Sequence, residues 1–399
     1  MSDDRLRRIL LATFAVGLAF SITLAETALA VLALRLVWRG LSGRARLDGW
    51  PLACPFAAWI AVSLVAVALS GRPIESLVAA KGLLLIVTFY VMLDALPDTA
   101  AADRFMGGLL VLLAIVALFG IAQVALCPGP GGSAFVLGPW GRKCHRARGF
   151  YSIYMTLGGV LSLILLALAP LLRPGERSRP DWWRIVAWLV AGAGFALTYV
   201  RGAWLGFLAG TATMLSLVRR GRTVIAAGVL ILAVVVLLAP GLRRRAESIV
   251  DPSDPTARER ILMWRSGLAI AHDHPVLGVG PGGVKREYPR YASPDALLQH
   301  RGHLHNTPLQ VLAERGVLGL VAWLAIFVVF FGRAVAVLRL TPDASRERAL
   351  VVGSVAAIVG FLVGGLTEYN FGDSEVVMIA YVVMAVPFVV GRSIVQCGS

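Results

Sequence analysis

Long apolar runs broken by short polar turns dominate the chain. A helix of roughly 20 apolar residues crosses a ~30 Å hydrocarbon layer. Runs of that length, or nearly so, recur at 9–25, 26–40, 52–70, 77–96, 106–126, 151–172, 185–200, 203–218, 223–239, 316–332, 349–366 and 376–391. The pattern predicts an all-α polytopic membrane protein with about 12 transmembrane helices. Ile9 to Trp38 reads either as a short hairpin turning near Glu26 or as one long helix. The chain then divides into nine spans over 1–239, a long loop over 240–315 and three spans over 316–399. Within the loop, Ile261, Trp264, Leu268 and Ala271 recur at helical spacing and predict a helix over Ala257–Ala271, with arginines on its other faces. The Gly- and Pro-rich "HPVLGVGPGG" that follows lacks the preceding strand that a nucleotide phosphate loop requires, which excludes that reading.

Composition strengthens the membrane reading. Hydrophobic residues make up 58% and charged residues 15% of 399, and the mean hydropathy is +0.77. A soluble chain has no interior large enough for that much apolar surface. The basic N-terminus (Arg5, Arg7, Arg8) has no small-residue cleavage site after it and reads as a retained first helix, not a signal peptide.

The formal charge of +15 does not point to nucleic acid, because the arginines punctuate apolar segments instead of gathering on a soluble domain. An even number of spans puts both termini on one side. Arg39, Arg44, Arg173, Arg184, Arg219, Arg333 and Arg346 fall in loops of that side, while 71–76 and 367–375 are poor in Lys and Arg, so the termini are expected in the cytoplasm. Two outer segments still carry cations. They are Cys127–Phe150, with Arg142, Lys143, His145, Arg146 and Arg148, and the loop 240–315, whose length exempts it from the charge rule. Cys127 and Cys144 flank the first segment and can pair if it faces an oxidising compartment; Cys54 and Cys397 stand alone.

On this topology the outer face gathers Arg142, Arg146, Arg148, Arg201, Arg258, Arg260, Arg265, His303 and His305. Arg201, in "LTYVRGAWLGFLAG", has no polar loop around it; it either snorkels to headgroups or serves a function. Guanidinium forks capture phosphate oxygens and hold their charge in low dielectric. Convergent arginines therefore suggest a phosphate or diphosphate ligand, and they would stabilise charge on a departing oxygen. His303 and His305 form an H-x-H with few carboxylates nearby (Glu287, Asp295), so no metal is expected. A histidine there is either a general base or a helix-start residue bonded to backbone. Lys81 snorkels or adds a cation to the same site, and Asp373 and Glu375 are expected to pair with arginines. With no energy-coupling motif, no cofactor is expected, and energy must come from ions or an activated substrate.

"HNTPLQVLAERGVLG" fits H-[NSQ]-x9-G-x-x-G, with His305, Asn306, Gly316 and Gly319 in place, and resembles the hallmark of the bacterial O-antigen ligase/polymerase superfamily. "TYVRGAWL" is similar to the family's arginine at a membrane-helix end (Arg201), "RERILMWRSGL" to its loop helix (Arg260), and "LVAAKGLLLIV" to a lysine-bearing segment (Lys81). The cluster Arg142–Arg148 has no counterpart in the family pattern. The resemblance implies a GT-C-type glycosyltransferase of the bacterial inner membrane, with its active site facing the periplasm. It implies as donor an undecaprenyl (polyprenyl) diphosphate-linked O-antigen and as acceptor lipid A–core, with no metal or nucleotide. It also implies inverting transfer, with His305 or His303 as base and Arg201 and Arg260 on the diphosphate. Arg265, Lys81, Arg142, Arg148 and Asn306 join the expected substrate-binding set, alongside ordinary membrane lipids. The chain ends soon after its last span, whereas protein-glycosylating relatives carry a further C-terminal region, so ligase is expected ahead of polymerase or protein transfer. A transporter of anionic lipids is the reading from a different class.

Overall fold

The computed structural model describes residues 3–127 apart from 46 and 48, then 144–172, 181–218, 254–343 and 345–398, with the single residues 230, 243 and 247. The predicted span 223–239, residue 230 apart, and Arg142 lie outside the described residues. Among the described residues every regular element is helical. The first half contains α1 (Asp3–Phe20), α2 (Ile22–Leu41), α3 (Ala53–Ala68), α4 (Pro73–Ala79), α5 (Val87–Ala95), α6 (Thr99–Ala125), α7 (Tyr154–Leu168), α8 (Trp182–Ala196) and α9 (Arg201–Leu217). The second contains α10 (Pro255–Asp273), α11 (Gly283–Tyr291), α12 (Thr307–Leu340), α13 (Arg346–Gly364) and α14 (Ser374–Gly398). A 3-10 segment, Ala80–Ile86, joins α4 to α5.

Among the described residues, six helices are long and apolar enough to cross a membrane: Pro73–Ala95, Thr99–Ala125, Tyr154–Leu172, Thr307–Leu340, Arg346–Gly364 and Ser374–Val395. Two more, Ala53–Ala68 and Trp182–Ala196, are apolar but shorter. The first two helices form a hairpin, and its turn is at Ser21, not near Glu26: the Ser21 hydroxyl accepts from the Leu24 amide at 3.4 Å. A Cβ on Gly17 would stand 2.3 Å from the Ala25 nitrogen, so glycine there lets the two helices touch.

One end of the bundle is laced by arginines. Arg35 and Arg39 bridge Asp3 and Asp94 at 2.7–3.1 Å. Asp103 takes both Arg184 and Arg346 at 2.7 Å, and Arg392 donates to the Leu93 and Leu96 carbonyls. The other end holds the Tyr151 hydroxyl on the Leu18 carbonyl, the Cys127–Cys144 disulfide, and the helices of the long loop. Asp3 and Arg392 thus share one end.

Two glycine devices carry the site. Along α9, Gly202, Gly206 and Gly210 face α13; a Cβ on Gly206 would lie 2.3 Å from the Gly360 carbonyl oxygen, and one on Gly210 2.6 Å from that of Ala356. This small-xxx-small seam brings α9 and the membrane-length helix α13 to backbone contact. The second device is a break in α12 at Gly316, whose φ of 63° and ψ of −168° are open essentially to glycine alone. The break frees backbone groups on either side, and "HPVLGVGPGG" fills them. Val279 and Gly280 donate to the Ala313 and Glu314 carbonyls at 3.0 and 2.9 Å, while Val317 donates to Pro275 at 2.8 Å. The Gly-rich stretch is a brace for α12. Gly319 is required one turn on, where a Cβ would meet that of Arg315 at 2.2 Å.

The α10 helix forms as predicted, and its buried face overlaps the apolar stripe only in part, at Trp264 and Ala271. Leu262, Met263, Ser266, Gly267, Ile270 and Ala271 are inside, while Ile261 and Leu268 are 44% and 57% exposed. Small residues rotate the helix: a Cβ on Gly267 would meet Leu304 at 2.6 Å, and the loop packs against that stripe in place of the larger apolar one.

Gly316→Ala is expected to lose about 1–3 kcal/mol of stability from backbone strain alone, more if the Val276 carbonyl, 2.1 Å from the new Cβ, does not yield. A control, Gly332→Ala, where a Cβ meets nothing within 4 Å, is expected to melt at or above the parent temperature in detergent.

Candidate active site

The entry to α12 is clipped to the turn after α13. Asn306 caps α12, its Oδ1 accepting from the Leu309 amide at 2.9 Å, while its Nδ2 donates to the Leu366 carbonyl at 2.9 Å. The Thr307 amide donates to Gly365 at 2.7 Å, and the Thr307 hydroxyl to the Glu368 carbonyl at 3.0 Å. Just before the cap, His305 has φ 48°, a left-handed conformation that histidine tolerates better than bulkier residues. Together these clips set the His305 ring beside the Glu368 carboxylate.

His305 Nδ1 is 3.2 Å from Glu368 Oε2, and Arg260 Nη2 donates to Oε1 of the same carboxylate. Three segments distant in sequence thus meet in the chain Arg260–Glu368–His305, with side chains only 11–18% exposed. The His303 ring lies 4.3 Å from that of His305, edge-on at 67°. Burial first, then the neighbouring His305 and Arg301, push His303 down to about 4, against the pull of Glu368. Its buried Nδ1 has no hydrogen-bond partner among the described residues.

Arg201, the first residue of α9, pairs with Asp254 at 3.0 Å, the residue that caps α10 through the Ala257 amide. Burial pushes Asp254 up, but the Arg201 and Ala257 bonds outweigh it and hold its carboxyl below the usual range. The neighbouring Gly202 abuts Thr367 and Glu368. Arg201 therefore lies at the His305 end and fixes the start of the helix that carries Arg260. A cavity of about 200 Å³ runs from His303, Glu368, Tyr369 and Asp373 into the bundle beside Gly159 and Ala203. Arg146 stacks 4.4 Å over Tyr154, between two residues of that wall.

The structure brings together His303, His305 and Arg260, and pairs Arg201 with Asp254, which caps the helix that carries Arg260. Other expected site residues behave differently. Arg265 is exposed on α10, and Lys81 is exposed on the 3-10 segment; among the described residues no hydrogen bond or ion pair joins either to the cluster. Arg148 has its amide on Gln123 at 3.4 Å. Asn306 spends both side-chain groups on capping and clipping. Asp373 takes the Thr156 hydroxyl in place of the expected arginine, and no ion pair reaches Asp373 or Glu375 among the described residues. Sequence reasoning missed Glu368, Asp254 and Tyr369. Carboxylates near His305 in sequence point elsewhere, as with Glu287 on Arg286 and Arg290, whereas Glu368 lies 63 positions on. Its signal was a lone acid in "LTEYNFG", directly after an apolar run.

Residues 185–324 match a family model described as O-antigen ligase. No curated protein matches the chain. The matched segment contains Arg201, Arg260, His303 and His305; Glu368 lies beyond it.

Between pH 6.5 and about 4 the unfolded chain protonates His303 while the folded site keeps it neutral. Stability is thus expected to be fully present above pH 6.5 and to fall as pH drops through that window. Melting temperature measured against pH is expected to fall less steeply below pH 6.5 for His303→Gln than for the parent chain.

Proposed function

Over residues 185–324 the chain belongs to the O-antigen ligase/polymerase superfamily, and from that premise we propose that it is a metal-independent, inverting GT-C-type glycosyltransferase. In this reading it moves a glycan from undecaprenyl diphosphate to lipid A–core at the periplasmic face of the inner membrane. The observation that carries the reading is the chain Arg260–Glu368–His305, which ties a phosphate-binding cation and a candidate base to one carboxylate.

With Nδ1–H held by Glu368, His305 presents the lone pair of Nε2, the tautomer a general base needs. Nε2 takes the proton of an acceptor hydroxyl, whose oxygen attacks the anomeric carbon of the donor. The bond from that carbon to the diphosphate oxygen breaks, and the leaving group departs with the electron pair. Arg260 and Arg201 meet the growing negative charge. To do so each exchanges a carboxylate, Glu368 or Asp254, for a diphosphate oxygen. Donor binding then leaves Glu368 to His305 alone, where it stabilises the imidazolium formed as the proton arrives. His303, kept neutral, lines the cavity beside His305. Arg146 extends the cationic rim, and the segment 240–315 supplies the catalytic helix α10.

The Cys127–Cys144 disulfide supports an oxidising compartment for this end, and the arginine-laced opposite end supports a cytoplasmic location for both termini. The ligase reading rests on the family description; a polymerase would use the same donor chemistry.

Purified protein mixed with lipid-linked glycan and lipid A–core decides between these. A shifted lipopolysaccharide ladder is expected, whereas lengthened lipid-linked chains would mean polymerase. His305→Ala is expected to lower the rate about 10²–10⁴-fold with donor binding retained, and Arg260→Ala to weaken both binding and turnover. Full activity in His305→Ala would exclude that residue as base.

A further inference from the structure

At the end of the bundle remote from His305, α1 and α6 separate around a groove of about 600 Å³. Its walls are apolar, supplied by Leu11, Ala15, Leu96, Val111 and Leu112. Small residues keep it open: a Cβ on Gly108 would meet nothing within 4 Å. Arginines rim the mouth. Arg7 is committed to Asp4 at 3.2 Å and to the Ala95 carbonyl at 3.3 Å. Arg8 bonds only a carbonyl of its own helix among the described residues, and Arg104 is exposed. The acids nearby are taken, Asp4 by Arg7 and Asp103 by Arg184 and Arg346. Trp183, 47% exposed, completes the rim at the level where tryptophan meets headgroups.

We infer that this groove is a binding site for one anionic phospholipid, its acyl chain lying between α1 and α6 and its phosphate held by Arg8 and Arg104. An apolar slot along a membrane-crossing helix, α6, is reached from the hydrocarbon layer, which favours an acyl chain over a soluble ligand. Two guanidinium groups with no ion pair among the described residues select a negative headgroup. The site is independent of the chemistry at the other end.

The test uses the full chain reconstituted in vesicles of phosphatidylcholine with phosphatidylglycerol, extracted in mild detergent and examined by native mass spectrometry. One phosphatidylglycerol is expected to stay with each chain in preference to phosphatidylcholine. Arg8→Gln and Arg104→Gln, both at exposed positions, are each expected to lower that retention about 5-fold. Gly108→Leu is expected to abolish it by filling the slot, with the melting temperature reporting whether the fold survives. Equal retention of the two lipids, or retention of phosphatidylglycerol unchanged by both arginine substitutions, overturns the proposal.

Discussion

Glu368 accepts from Arg260 with one oxygen and stands against His305 with the other, and the geometry of the site follows from that sharing. A carboxylate this far out of water is costly unless its charge is met. Arg260 meets it, and the imidazole takes the remaining oxygen. In return, the carboxylate fixes the ring and holds the guanidinium beside it. Removing Glu368 would leave a half-buried cation without its counter-ion and a histidine without an orienting partner. The same arrangement makes the site responsive, because an anion that competes for Arg260 changes what His305 faces.

The backbone is arranged to deliver those three side chains to one point. The glycine seam between α9 and α13 draws Gly202 against Thr367 and Glu368. The clips from Asn306 and Thr307 hold the start of α12 to the turn that carries Glu368. The break at Gly316, braced by residues 275–280, lets that first turn leave the line of the membrane-crossing part of α12. The two glycines of the H-N-x9-G-x-x-G pattern thus act on conformation and packing, at a distance from the histidine whose placement they control.

The helical class was readable from apolar run length; the H-x-H spacing set His303 beside His305, and their rings lie 4.3 Å apart. Where a run was long and unbroken, as at 106–126, a helix covers nearly all of it and starts earlier, at Thr99. Pattern and structure part at the hairpin, where the turn obeys a capping serine and a close-approach glycine instead of the acidic residue that catches the eye. They part again on α10, where Ser266 and Gly267 decide the buried face although neither scores as apolar. The carboxylate partners were hidden for a different reason: Glu368 and Asp254 meet their arginines across 108 and 53 positions, and one sequence carries no record of such pairings. The cations were readable and their counter-ions were not.

The most direct measurement is a structure determined with undecaprenyl diphosphate bound. The account predicts the diphosphate oxygens on Arg260 and Arg201, both released from their carboxylates, with His305 still on Glu368 and its Nε2 turned toward the position of the sugar. A diphosphate bound elsewhere while Arg260 stays on Glu368, or one bound at the arginines with His305 Nε2 turned away from it, would contradict it.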